Sequence, residues 1–150
     1  MKKQQLIIVA VIIIAAGALA LLGRTDNQPR NGMMRIGEAL RAREVPVVVV
    51  TEGRGGANGE LVRGVKAAAA GAERARFIHI DTLNPVERET AASYANAKLP
   101  LVAVLGLDGA PAYEGTAPVD AEGIKRGIAS GLTRKPIEIP KEPEPGEHQH

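Results

Sequence analysis

The sequence predicts an α/β fold, a mixed sheet sandwiched between helices on both faces, and three observations carry that prediction. Val45–Thr51 (VPVVVVT) and Leu101–Leu107 (LVAVLGL) are nearly unbroken aliphatic runs, the pattern of strands covered on both faces. Stretches with apolar residues at helical spacing alternate with the strand-like runs, which supplies the crossovers that a sheet with parallel strands needs. Asp108-Gly109 separates the last two strand-like runs and is a two-residue hairpin signal.

Taken in chain order, Leu6–Leu22 (LIIVAVIIIAAGALALL) contains no charged residue, and a helix of that length, at about 1.5 Å per residue, nearly crosses a hydrocarbon core. Lys2 and Lys3 with Ala18-Leu19-Ala20 fit a cleaved signal peptide, whereas Leu21 and Leu22 continue the apolar run as an anchor would. Residues 1–23 are therefore expected to be a transmembrane anchor or signal peptide. A very short head stays cytoplasmic, which puts the soluble domain outside the cytoplasm, in the periplasm. Residues 24–32 read as a polar linker, 33–134 as the domain, and 135–150 as a disordered tail rich in Pro and Glu.

Within the domain, Met33–Arg43 places Met34, Ile36 and Leu40 at helical spacing ahead of the first strand. After the EGRGGANGE turn, Glu60–Ala70 reads as a helix with Leu61, Val62, Val65 and Ala69 inward, and Arg76–Asp81 (RFIHID) as the second strand. Asn84 caps a helix expected from Pro85 through Ala97, with Glu87 at the capping-box position and the charged run Glu87, Arg88, Glu89 on a solvated face. Leu99-Pro100 opens the third strand, Ala110–Gly115 is the fourth, and Asp120–Leu132 is the closing helix.

Composition removes several chemistries. The 150 residues contain no cysteine, which excludes disulfides, thiolate nucleophiles and thiolate metal sites. Phe77, Tyr94 and Tyr113 are the only aromatics, too few for a base-stacking platform, and a net charge of +2 leaves no basic footprint for nucleic acid. Ser93 and Ser130 lack a nearby His and Asp arrangement, His79 sits alone in a strand, and His148 and His150 lie in the tail without further ligands.

From Phe77 onward the residues resemble a known family. FIHIDTLNPVERETAASYANAKLPLVAVLGLDGAPAYEG looks like the second half of a thioredoxin domain, with Asp81, Asn84-Pro85, Leu99-Pro100, Asp108-Gly109 and Gly115 in the family's order and near its spacing. The resemblance covers about Met34 to Leu132. It implies a thioredoxin-like three-layer sandwich, preceded here by a single transmembrane helix, and a cis peptide bond before Pro100. The family's Cys-x-x-Cys pair would fall near Arg54 and Ala57, in the stretch Gly53–Gly59, and the family's buried acid is replaced by the aliphatic run Val47–Val50. The redox apparatus is missing as a set.

The function expected from this reading is that of a redox-inactive, membrane-anchored accessory or structural subunit of a membrane protein complex, without catalytic residues, cofactor or metal. It would contact the lipid bilayer through Leu6–Leu22. Partner contacts are expected at Arg54, Gly55, Gly56, Leu99, Pro100 and Tyr113. The alternative is a peptide-binding holdase or assembly factor of the cell envelope that pairs with extended chains beside Pro100. A third reading takes Gly53, Gly55 and Gly59 with Arg54 and Asp81 as a nucleotide- or anion-binding loop. The plainer reading of those glycines is a tight turn. The short remainder of the chain, with its proline and hairpin, also lacks the further crossover strands of a dinucleotide fold.

Overall fold

The computed structural model describes residues 31–138. Four α-helices and one 3₁₀ turn surround a four-stranded sheet: α1 Gly32–Arg41, β1 Val45–Thr51, α2 Ala57–Ala70, β2 Ala75–Asp81, the 3₁₀ turn Pro85–Glu87, α3 Arg88–Ser93, β3 Leu101–Leu105, β4 Pro111–Gly115 and α4 Ala121–Leu132. The sheet order is β2-β1-β3-β4. β1 and β2 are parallel, with Val47 beside Phe77 and Thr51 beside Asp81. β3 runs antiparallel to β1, with Leu101 beside Val50, and β4 antiparallel to β3, with Gly115 beside Val102.

This architecture corrects two expectations. Among the described residues no helix is long and apolar enough to cross a membrane. The longest, α2, has 14 residues, about 21 Å of helix against a hydrocarbon core of about 30 Å. The expected transmembrane segment Leu6–Leu22 lies outside the described residues, as does most of the expected linker. The fold is accordingly an α/β domain with a mixed sheet and four helices, and neither the preceding membrane helix nor the location as a single-pass membrane protein with a periplasmic domain is upheld.

Strand alternation builds two cores. Val48 and Val50 of β1 join Ile78, Ile80, Leu101 and Leu105 under Ile36, Ala39 and Leu40 of α1, with Tyr94 beyond the end of α3. Val45, Val47 and Val49 point the other way and meet Leu61, Val65 and Ala69 of α2 and Ile124 and Ile128 of α4, together with Val102 and Val104. Because both faces are covered, every residue of β1 is buried, including Thr51.

α4 approaches the sheet through a row of glycines. A Cβ built on Gly127 would lie 2.6 Å from Tyr113 Cβ and 3.3 Å from Val104 Cβ, and one on Gly131 would lie 3.0 Å from Gly106 Cα. Tyr113 therefore spreads over the glycine face of α4, and burial raises its phenol pKa.

Four local departures have physical causes. α2 starts at Ala57, ahead of the expected Glu60, because Gly56 caps it with φ 57° and ψ −127°, a conformation that side chains with a Cβ rarely adopt. The helix expected from Pro85 through Ala97 splits into the 3₁₀ turn and α3, and residues beyond Ser93 continue in tight turns, Tyr94 bonding Ala91 and Ala97 bonding Tyr94. Glu87 does not close a capping box on a solvated face: it is 3% exposed, accepts the Gly32 N–H at 2.7 Å and pairs with Arg35 at 2.9 Å, so it caps α1 from 55 residues away. At the carboxy end Ile137 donates its N–H to Leu107 at 2.9 Å and packs on the α1 core, so the chain stays against the domain past Lys135.

Candidate functional site

β1 and β2 are parallel and their carboxyl ends, Thr51 and Asp81, lie side by side at one end of the sheet. That end is where α/β sheets commonly hold ligands, because the chain must leave both strands there and helix α2 begins above them. Thr51, His79 and Asp81 share one face by strand alternation, the face covered by α2 and α4.

A hydrogen-bonded chain ties these side chains to the glycine loop. The Thr51 hydroxyl donates to Gly53 O at 2.7 Å and lies 2.8 Å from His79 Nε2. The hydroxyl has one proton, already given to Gly53, so His79 Nε2 is the donor in the second bond and its Nδ1 carries the lone pair. Asp81 Oδ1 accepts the N–H groups of Gly53 at 2.9 Å and Leu83 at 3.0 Å, and Oδ2 lies 3.4 Å from Arg54 Nε. Asn58 braces the loop from α2 by donating to Glu52 O at 3.1 Å.

The electrostatics follow from this geometry. Burial lowers the His79 pKa and the nearby Arg54 charge lowers it further, against the opposing pull of Asp81, so the ring is neutral at pH 7. Burial pushes Asp81 upward, but the N–H bonds from Leu83 and Gly53 and the Arg54 charge outweigh it and hold the carboxyl below its usual range. A histidine whose folded pKa lies below its unfolded value of 6.5 penalises the folded state once the unfolded chain takes up protons more readily. Stability is thus expected to fall as pH drops below about 6.5, until the folded ring also protonates. In His79→Gln the part of that slope between pH 6.5 and 5 should vanish, as read from urea midpoints.

This arrangement does not make a nucleophile. Thr51 is fully buried and its proton is engaged with Gly53 O, not with His79, so the imidazole does not act on it as a base. In the glycine loop the Gly53 N–H is taken by the chain's own Asp81 carboxylate, so that amide is not free to bind a phosphate. Among the described residues no cluster of three or more His, Asp or Glu is placed to hold a metal ion.

Of the residues expected at the site, Arg54 lies above Asp81 with its side chain 70% exposed, and Gly55 and Gly56 are exposed beside it. The register brings Leu99-Pro100 next to Thr51, since Leu101 pairs with Val50. The Leu99–Pro100 bond is cis, Leu99 packs on the α1 core, and Pro100 O accepts the Thr116 hydroxyl at 2.7 Å. Tyr113 is not brought to this end: it pairs with Val104 in mid-strand and lies under α4. Sequence reasoning missed Leu83 and Val86, which stand 65% and 39% exposed just beyond Asp81 and are the large apolar side chains exposed among the described residues. A Cβ on Gly53 would lie 3.5 Å from Leu83 Cδ1, which places Leu83 against the loop. The available signal was the pair of aliphatic residues straddling Asn84-Pro85, outside any helical or strand period.

No family model and no curated protein matches the chain. Among solved structures, the crystal structure of a designed protein is similar, with a TM-score of 0.50 at 20% identity, covering 75% of this chain and 97% of that one. At that identity the likeness concerns the fold alone.

Proposed function

We propose that this domain is a redox-inactive, thioredoxin-like docking module that serves as an accessory or structural subunit by holding a protein partner at the loop end of its sheet. The observation that carries the reading is the exposed apolar pair Leu83 and Val86 beside a loop anchored by Asp81, with the Arg54 guanidinium presented at its rim. Isolated apolar side chains on a surface need no explanation, but two on one turn, next to a preorganised loop and an exposed arginine, form the core and rim of a small contact surface. The strand order, with its one parallel and two antiparallel pairings, supports the thioredoxin-like part of the reading. Position 54 has arginine in the loop where the redox family has a thiol, and the chain contains no cysteine, which supports the non-catalytic part.

The test is co-purification of the full-length chain from its native source, comparing wild type with Leu83→Asp and Arg54→Glu. Both positions are on the surface, so unfolding free energies from urea titration should stay within about 1 kcal/mol of wild type while recovery of a stoichiometric partner falls several-fold. Undiminished recovery with both variants would overturn the docking surface.

A second reading, a holdase for extended chains, is favoured by one observation: Leu99-Pro100 borders Thr51 and the edge strand β4 ends beside it, Gly115 pairing with Val102. It predicts many sub-stoichiometric clients in the same experiment, where the first reading predicts one fixed partner.

A further inference from the structure

The sheet order β2-β1-β3-β4 leaves two strands with one unpaired side, and the chain treats them differently. β4 is blunted. It has five residues, opens with Pro111 and meets β3 through a register shift at Val104/Leu105. Arg134 Nη1 covers its start, lying 3.0 Å from Ala110 O and 3.3 Å from Pro111 O. Short length, proline, a bulge and a charged side chain are the devices that keep an edge from pairing with another chain.

β2 is left open over half its length. Its seven residues, ARFIHID, contain no Pro, Gly or Lys and keep an unbroken register with β1. The two ends of that ladder fix where the backbone groups point. The Val45 N–H donates to Arg74 O at 2.7 Å and the Thr82 N–H to Thr51 O at 2.9 Å, so the even-numbered residues from 74 to 82 bond β1. The N–H and C=O groups of Ala75, Phe77, His79 and Asp81 therefore point away from the sheet. At the loop end this outward row is partly closed, because Arg35 Nη2 bonds His79 O at 2.8 Å and the Asn84 N–H bonds Asp81 O at 3.0 Å. Among the described residues nothing bonds the outward groups of Ala75 or Phe77. The strand's charged side chains are engaged elsewhere: Arg76 pairs with Glu44, and Asp81 holds the N–H groups of Gly53 and Leu83. An unbonded row of N–H and C=O groups is a template for an extended chain. The row also runs toward Leu83 and Val86, the exposed apolar pair just beyond Asp81. From Ala75 to the end of β2 is about 20 Å, a span that a short extended segment covers.

We propose that the partner held at the loop end adds a strand to this sheet: an extended segment of the partner pairs with Ala75 and Phe77 along the outer edge of β2 and sets an apolar side chain on Leu83 and Val86. This rests on the docking reading and specifies the conformation in which the partner binds. The test compares Phe77→Pro with Phe77→Ala in the full-length chain recovered from its native source. Both variants lose the ring, and only proline loses the outward N–H. The ladder to β1 runs through residues 76 and 78, so the two should unfold at the same urea concentration. Recovery of the partner is expected to be several-fold lower with Phe77→Pro than with Phe77→Ala. In the wild-type complex, amide hydrogen exchange read by NMR should slow roughly tenfold or more at Phe77 and His79 relative to the free chain, with Arg76 and Ile78 protected in both. If Phe77→Pro unfolds, the exchange measurement decides alone. Equal recovery of the two folded variants, or unchanged exchange at Phe77 in the complex, would overturn the proposal, and the docking reading would still stand if Leu83→Asp loses the partner. No stoichiometric partner with the wild-type chain would remove the docking reading and this proposal with it. A concentration-dependent dimer of the purified chain that Phe77→Pro dissociates would assign the edge to a second copy and overturn the proposal.

Discussion

Gly127→Val is expected to destabilise the domain by about 3 kcal/mol or more, enough to leave a marginally stable fold largely unfolded at growth temperature. The first carbon of any side chain at this position would sit 2.6 Å from Tyr113 Cβ and 3.3 Å from Val104 Cβ. Neither neighbour is the free end of a flexible chain: both are Cβ atoms fixed by the β3–β4 ladder, in which Val104 and Tyr113 are cross-strand partners. Relief requires α4 to lift from the sheet, and lifting it uncovers Ile124 and Ile128, which are 1% and 4% exposed. Gly71→Ala is the control. Gly71 has nothing within 4 Å of a built Cβ and a φ of −85°, so alanine should leave stability unchanged or raise it by up to about 1 kcal/mol. Urea unfolding followed by far-UV circular dichroism separates the two.

Glu87→Ala should cost about 2–4 kcal/mol, discounted from a fully buried pair because the Arg35 side chain is 34% exposed. The carboxylate satisfies the Gly32 N–H at the start of α1, interacts with the positive end of that helix and neutralises Arg35. Arg35 in turn donates to His79 O at 2.8 Å, so the pair joins α1, β2 and the 3₁₀ turn. Removing the carboxylate leaves a helix-terminal donor and a half-buried cation without their partner, and burying an unpaired group is costlier than lacking the pair. The double variant Arg35→Met/Glu87→Leu should therefore recover part of the loss, which equilibrium unfolding would show as a smaller shift than Glu87→Ala alone.

The strands were legible because their signal is local: VPVVVVT and LVAVL are buried on both faces and say so by lacking alternation. The Asn84 cap was legible for the same reason, being set by neighbouring residues. Asp108-Gly109 does mark the turn between the last two strands, but as part of a five-residue connection, 106–110, closed by Gly106 N–H to Ala110 O, and not as a two-residue hairpin, because β3 already ends at Leu105. Glu87 was not. Its role is decided by Gly32 and Arg35, more than 50 residues earlier, and Glu-Arg-Glu in a helical register gives no sign of which acid turns inward. The site divides along the same line. Arg54 and the glycines could be placed from the loop composition, but the joining of Thr51, His79 and Asp81 depends on the β1–β2 register, which pairs Thr51 with Asp81. Tyr113 was assigned to the site from its edge strand, and the glycine face of α4 drew it under the helix. The membrane segment was inferred from hydropathy alone, and the described residues contain no helix that supports it.

The central claim, that the loop end of the sheet holds a partner, is tested most directly by site-specific photo-crosslinking in the native source. A photoreactive side chain at Leu83 is compared with one at Gly71, an exposed position at the far end of α2. The docking reading predicts one discrete crosslinked species from position 83, suppressed by Arg54→Glu in the same chain and absent from position 71. Equal crosslinking from both positions, or none at 83 when a stoichiometric partner co-purifies, would contradict it.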